Sequence, residues 1–256
     1  MDGFANLLVE TELTWFSAND YRGRPDAPAF RLVERSLPVV VSAAHAVTHW
    51  REGRMKPSDD YTGALALAVA GICGCHAIVA TNSRGHDPNW DPFETSPYKQ
   101  ALCEFVREHG VALVIDLHGM PAASPDAIEI GSADGATVAV LPGADVRTRD
   151  ILQEELAPYL RRYDRAIALN GRHAARGENT VTRTVSRECG VDALQLEINS
   201  RFRVPSGAGT HVPKDDPMPF SADQLPEEWV ARSNPDPACV EATVRAIARV
   251  IDELAG

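Results

Sequence analysis

Positive charge is scarce in this 256-residue sequence: 25 Lys and Arg stand against 36 Asp and Glu, a formal net charge of -11. Nucleic acids and anionic membranes are held by clustered cations, so neither is expected as a partner. Long apolar runs are missing as well. No stretch is of spanning length, and no charged n-region leads into an apolar h-region at the start, which makes a cytoplasmic enzyme the expectation. Cysteine is sparse: the five residues (Cys73, Cys75, Cys103, Cys189, Cys239) are odd in number and without zinc-ligand spacing, which excludes a complete disulfide framework. Cys73-Gly-Cys75 reads as small core residues. No Pro/Gly/Ser-rich linker divides the chain, so residues 1–256 are expected to form one large domain.

What the sequence does have is a set of strands with polar tips. Val111 to Met120 reads V-A-L-V-I-D-L-H-G-M, an apolar run leading into Asp116, His118 and Gly119, as in a strand buried on both faces. Side chains alternate along a strand, so Asp116 and His118 share one face, where the carboxylate can accept the ring's spare N–H and orient a metal-binding imidazole. Pro38 to Ala43 runs into His45, His76 to Ala80 runs into Thr81-Asn82-Ser83-Arg84, and Ala193 to Ile198 carries Glu197 and delivers Asn199. Such tips converge outside the carboxyl ends of parallel neighbours. The expected fold is a single α/β domain with a mixed, mostly parallel central sheet flanked by helices, and the expected chemistry is that of a metal-dependent hydrolase.

Helices are predicted at Tyr61–Ile72 with Ser58 as N-cap, at Ser96–His109, at Asp145–Tyr163 with a kink at Pro158, from an Asn179 or Thr180 cap to Glu188, and at Ala238–Leu254. Short strands are expected at Phe4–Leu8, Leu13–Phe16, Ala127–Ile130, Val138–Leu141 and Arg165–Leu169.

Each candidate residue has a chemical reason. His45 is the ligand candidate of its segment; His49 is assigned to the surroundings of the metal or to the substrate side, because no helix is evident that would put both rings on one face. Asp59 is the candidate third ligand, with Asp60 in reserve. Glu197 sits between Gln195 and Asn199 on the polar face of a core strand, a costly arrangement unless it is hydrogen-bonded or lines a cleft, and is the candidate general base. In the loop after the His76 strand, Arg84 and Asn89 can hold a carboxylate. Arg176, Asn179 and Arg183 gather about a helix start whose free N–H groups suit an anion. Residues 201–237 read as a loop covering the site, with His211 in that cover.

Ala44-His45-Ala46, Asp59-Asp60-Tyr61-Thr62-Gly63, Asp116-Leu117-His118-Gly119-Met120 and Gln195-Leu196-Glu197-Ile198-Asn199, in this order, resemble the N-formylglutamate amidohydrolase family over residues 38 to 200. The resemblance implies a zinc carboxypeptidase-like fold, zinc held by His45 and His118 with an acidic ligand between them in sequence, and Glu197 as the acid/base residue. It also implies that the loop from Asn82 to Asn89, and Arg183, hold the substrate's carboxylates. The family's Pro-aromatic-x-Gly-Gly segment appears here as Ala175-Arg176-Gly177-Glu178-Asn179. The resulting expectation is one zinc ion on His45, Asp59 and His118, with a fourth position open for catalysis. Arg183 or a neighbouring arginine would steady the carbonyl oxygen or a carboxylate, and the substrate would be a small N-acyl amino acid or related carboxylate. A metallo-carboxypeptidase acting on peptides, and a non-catalytic relative binding an amino-acid-like ligand, are the alternatives.

Overall fold

The computed structural model describes residues 3–205 and 236–256. Its strands are β1 (Phe30–Val33), β2 (Leu37–Ala43), β3 (His49–Arg51), β4 (Arg54–Lys56), β5 (Cys75–Ala80), β6 (Leu113–Met120), β7 (Asp126–Gly131), β8 (Ala166–Leu169) and β9 (Asp192–Asn199). The helices are α1 (Gly3–Trp15), α2 (Ala18–Tyr21), α3 (Thr62–Cys73), α4 (Pro97–Glu108), α5 (Ala144–Glu155), α6 (Ala157–Tyr163), α7 (Val181–Cys189), α8 (Ser200–Arg203) and α9 (Pro237–Ala255). Seven strands form one sheet in the order β1-β5-β2-β6-β9-β7-β8, while β3 and β4 make a separate hairpin. The four central strands, β5, β2, β6 and β9, are mutually parallel; β1 and β7 run against their neighbours β5 and β9, and β8 is parallel to β7.

This order fixes where a site belongs. From β2 the chain steps outward through α3 to β5, then returns through α4 past β2 to β6. Right-handed crossovers in opposite directions put α3 and α4 on opposite faces of the sheet, and the crevice between the diverging connections opens at the carboxyl ends of β2 and β6. The helices follow their sequences. Ser96 caps α4 by accepting from the Lys99 N–H, with Pro97 at the helix start, and Asp236 caps α9 by accepting from the Cys239 N–H. Helix α3 is apolar nearly throughout because it lies between the sheet and α9.

Several expectations are corrected. The segments 4–8 and 13–16 are not strands: residues 3–15 form α1, with Ala5, Leu8 and Glu12 buried at helical spacing. Residues 138–141 form no strand, since the N–H groups of Val140 and Leu141 are given to the buried Asp192 carboxylate at 2.9 and 2.7 Å. Ser58 does not cap α3; its hydroxyl donates to Asp60, and the capping position is Tyr61, held at φ 67°. The kinked helix is two helices, with Pro158 in the first turn of α6. His211 and residues 206–235 of the expected cover lie outside the described residues. Among the described residues, no helix is long and apolar enough to cross a membrane.

Candidate active site

Residues paired across neighbouring strands point to the same face, so the register of the sheet lines up its polar side chains. Ser42, Asp116 and Gln195 form one row across β2, β6 and β9; His118, Glu197 and Glu129 form the next across β6, β9 and β7. Both rows are buried. The strand carrying Glu197 is interior, between β6 and β7, so its polar side chains are partnered rather than wet.

His45 follows β2, and its carbonyl accepts from the Asp59 N–H at 2.8 Å, which brings the segment before α3 back over the strand end. Three donor atoms then converge. His118 Nδ1 lies 3.2 Å from His45 Nδ1 and 3.3 Å from Asp59 Oδ2, and His45 Nδ1 lies 3.5 Å from the same Asp59 oxygen. The far nitrogens are already committed. His118 Nε2 meets Asp116 Oδ2 at 2.7 Å, and His45 Nε2 meets Asp87 Oδ1 at 2.9 Å. A carboxylate can only accept, so each ring gives its N–H to the aspartate and turns the Nδ1 lone pair inward. Two lone pairs and a carboxylate oxygen facing one another repel unless a proton or a metal cation lies among them. A tetrahedral zinc ion would separate its ligand atoms by about 3.4 Å, close to the spacings found. The residues therefore fit a divalent metal, and the trio His45, Asp59 and His118 is a metal-competent group by geometry.

The supports are as defined as the ligands. Asp116, fully buried, also accepts from Ser42 Oγ at 2.6 Å, and Ser42 is in turn bonded to Tyr98 of α4 at 2.8 Å. Asp87 also accepts from Arg51 Nε at 2.7 Å, and His49 stacks on His45 with ring centres 3.7 Å apart. Burial would raise the Asp59 and Asp87 carboxyls, but the adjoining imidazoles, and Arg51 at Asp87, outweigh it and hold both below the usual range. Burial would lower His118, yet Asp116 and Asp59 outweigh it and raise that imidazole well above its ordinary value. For His49 burial wins, with the His45 charge adding to it, and the pKa falls to about 3. Burial pushes Glu197 up to about 6, against the pull of His118.

Asp60 turns away. Its carboxylate takes the Ser58 hydroxyl and its carbonyl accepts from the buried Arg203, leaving Asp59 as the acid beside the histidines. The turn that presents Asp59 is pinned from below, where Glu12 of α1 accepts the Tyr61 N–H at 2.7 Å. Burial raises Glu12 to about 8.

A cavity of about 510 Å³ opens over this cluster, lined by His45, His49, Asp59, His118 and Glu197 on one wall and by residues 172–177 on the other. Gly131 makes the second wall possible: a Cβ there would sit 2.5 Å from the His173 carbonyl oxygen, so only glycine lets the loop lie on the sheet. Of the residues expected to hold substrate, Asn89 and Arg176 line this cavity, and Arg84, Asn179 and Arg183 do not. Arg84 instead bonds the Ala27 carbonyl at 2.6 Å. Arg176 is paired with Asp134 at 2.7 Å on the surface, and Asn89 accepts the Val181 N–H at 2.8 Å. With Thr180 accepting from Arg183 N, the start of α7 is capped by the protein itself, which corrects the expectation of free N–H groups there. Lys56 and Arg172 also line the cavity, and their side chains have no ion pair or hydrogen bond among the described residues. Behind the wall, buried Lys99 donates from Nζ to the carbonyls of Asp91 and Asn179 at 2.5 and 2.6 Å, and burial lowers its ammonium to about 8.

The sequence reading did not single out Asp87, Arg51, Ser42, Glu129 or His173. Glu129 had a legible signal, a lone carboxylate inside the apolar strand A-I-E-I-G, the same anomaly that pointed to Glu197.

Residues 89–202 match the family model described as N-formylglutamate amidohydrolase. Among solved structures, the N-formylglutamate amidohydrolase from Ralstonia eutropha JMP134 is similar at 18% identity and TM-score 0.53, covering 90% of this chain and 97% of that one. A bacteriophage poly-gamma-glutamate hydrolase is similar at 14% identity and TM-score 0.48, covering 90% of this chain and 93% of that one. A metallo-carboxypeptidase from Burkholderia cenocepacia is similar at 11% identity and TM-score 0.45, covering 90% of this chain and 67% of that one. No curated protein sequence matches the chain. The motifs around His118 and Glu197 both fall within the matched span, and the resemblance this chain bears is to the N-formylglutamate amidohydrolase family.

Proposed function

We propose that the protein is a zinc-dependent amidohydrolase that cleaves the amide bond of a small N-acyl amino acid or related carboxylate. The observation carrying this reading is the convergence of the His45 and His118 Nδ1 atoms on Asp59 Oδ2, with each ring's other nitrogen bound to a buried carboxylate. The amide class comes from the family match over residues 89–202. When bound, the metal supplies Lewis acidity and lowers the pKa of a water molecule. Glu197 projects from β9 beside His118 of β6, and its raised pKa of about 6 suits a carboxylate that must take a proton and give it back near neutral pH. It accepts the proton of the attacking water. As the C–N bond breaks, it returns that proton to the leaving nitrogen, so an acid and a free amine depart. Gln195 donates from Nε2 to Glu197 Oε1 at 3.0 Å and fixes the carboxylate's orientation. Lys56 and Arg172 offer unpaired charge for the substrate's carboxylate. We take residues 1–256 as one such domain, working in the cytoplasm.

The test is to assay release of free amine from a panel of N-acyl amino acids by the zinc-loaded protein and its Glu197→Gln variant. Turnover of at least one compound is expected, with loss of roughly a thousandfold in the variant at unchanged metal content. No cleavage of any panel member by the metal-loaded protein would overturn the assignment, and cleavage of peptides alone would favour a carboxypeptidase.

A further inference from the structure

Beside Glu197, on the far strand, sits a second carboxylate and imidazole pair that neither the family motifs nor the metal cluster accounts for. Glu129 of β7 is directly opposite Glu197 and is 2% exposed. Both of its oxygens are spent on one residue: Oε1 accepts the His173 N–H, and Oε2 meets His173 Nδ1 at 2.9 Å. Gly171 keeps its approach open, since a Cβ there would stand 3.1 Å from Glu129 Oε1. The Gln195 amide that donates to Glu197 also reaches the His173 carbonyl at 3.3 Å. His173 lines the cavity together with His45, Asp59, His118 and Glu197. Its Nε2 has no hydrogen bond among the described residues.

A buried acceptor at Nδ1 fixes which way an imidazole faces and which nitrogen is left for the substrate, the device already seen at His45 and His118. The difference is that those rings turn toward each other and this one borders open space. We propose that His173 is a catalytic residue which, as an imidazolium paired with Glu129, donates from Nε2 to the carbonyl oxygen as it gains negative charge, and that Glu129 is its positioning residue and counter-charge. This rests on the amidohydrolase reading above. It fills the role expected of Arg183, which does not line the cavity, while Arg51 and Arg176 are held by Asp87 and Asp134. A donor fixed before the reaction needs no reorganisation when the charge appears, and removing one such donor typically costs about 10²–10³ in kcat.

The test uses the zinc-loaded protein and the variants His173→Ala, His173→Gln, Glu129→Gln and the double variant His173→Ala/Glu129→Gln. The expected result for His173→Ala is a kcat lower by about a hundredfold or more, with KM, zinc content and thermal midpoint near wild type and partial rescue by added imidazole. His173→Gln, which keeps an N–H donor, should lose less. Glu129→Gln should lose about tenfold, and the double variant should be no worse than His173→Ala, because Glu129 acts through the ring. A phosphonate analogue of the tetrahedral state should bind His173→Ala more weakly by calorimetry, with the affinity for the product amino acid unchanged. Unchanged kcat in an active wild-type background, or a rise in KM alone, would overturn the inference and leave the amidohydrolase reading standing. An inactive wild type would sink that reading, and analogue affinity unaffected by His173→Ala would separately overturn this one.

Discussion

The two walls of the cavity are built on different principles. On the metal wall every functional atom is fixed from behind: His118 by Asp116, Asp116 by Ser42, Ser42 by Tyr98, His45 by Asp87, and Asp87 by Arg51. On the loop wall, apart from the Glu129 and His173 pair, the polar groups are surface charges, with Arg176 on an exposed aspartate and Arg172 exposed. Buried, serially bonded groups are costly to disturb and confer geometry, whereas exposed charges are solvated and confer attraction. The first wall, together with the Glu129 and His173 pair, should therefore govern metal and chemistry, and the exposed charges of the second should govern which anion is drawn in.

That division can be broken by mutation. His118→Ala should have the largest effect, abolishing stoichiometric zinc binding and with it all turnover, as read by metal analysis of the purified protein; a variant retaining full metal would remove the metal wall's premise. Asp87→Asn keeps the shape but withdraws the negative charge that faces both His45 and Arg51, and chelator competition should show zinc affinity weakened about 10–100-fold. Arg172→Ala should raise KM about tenfold, on the order of 1.4 kcal/mol, at constant kcat and metal content. Arg84→Ala and Arg183→Ala, at residues that do not line the cavity, should stay within about twofold of wild type in steady-state kinetics. If they behaved like Arg172→Ala, the loop wall would extend further than its lining suggests.

A smaller and slower effect concerns the support under Asp59. Glu12 has its folded pKa raised to about 8 by burial, so between its unfolded value and about 8 the folded state holds a proton that the unfolded state has lost. Its contribution to stability is therefore greatest below the unfolded pKa and is lost as pH rises toward 8. Urea midpoints at fixed metal should fall from pH 5 to pH 8 in the wild type and fall less in Glu12→Gln. Parallel slopes in the two proteins would mean that Glu12 is not the titrating group.

How much of this was legible follows the same division. The strands ending near His45, His118 and Glu197 were readable because alternation settles which way a strand residue points, and buried polar residues announce themselves against an apolar run. Which of Asp59 and Asp60 lies beside the histidines was not legible in the sequence, since adjacent residues in a turn have no fixed periodicity; in space Asp59 faces both rings while Asp60 takes the Ser58 hydroxyl. Arg84 and Arg183 were attractive for their charge alone, but a long side chain in a loop or on a helix can turn either way, and Arg84 found a carbonyl instead. Helix α1 was misread as strands because exposed Leu7 and Leu13 stand among its apolar positions while the charged Glu12 takes a buried one, which blurs the helical period.

Lys99 carries a consequence for rigidity. One ammonium grips a carbonyl from residue 91 and another from residue 179, so the segments that carry the cavity-lining Asn89 and Thr180 are riveted to each other. Drawing them apart would strand a cation in the interior. The seam between the two segments is accordingly stiff where they reach the cavity wall.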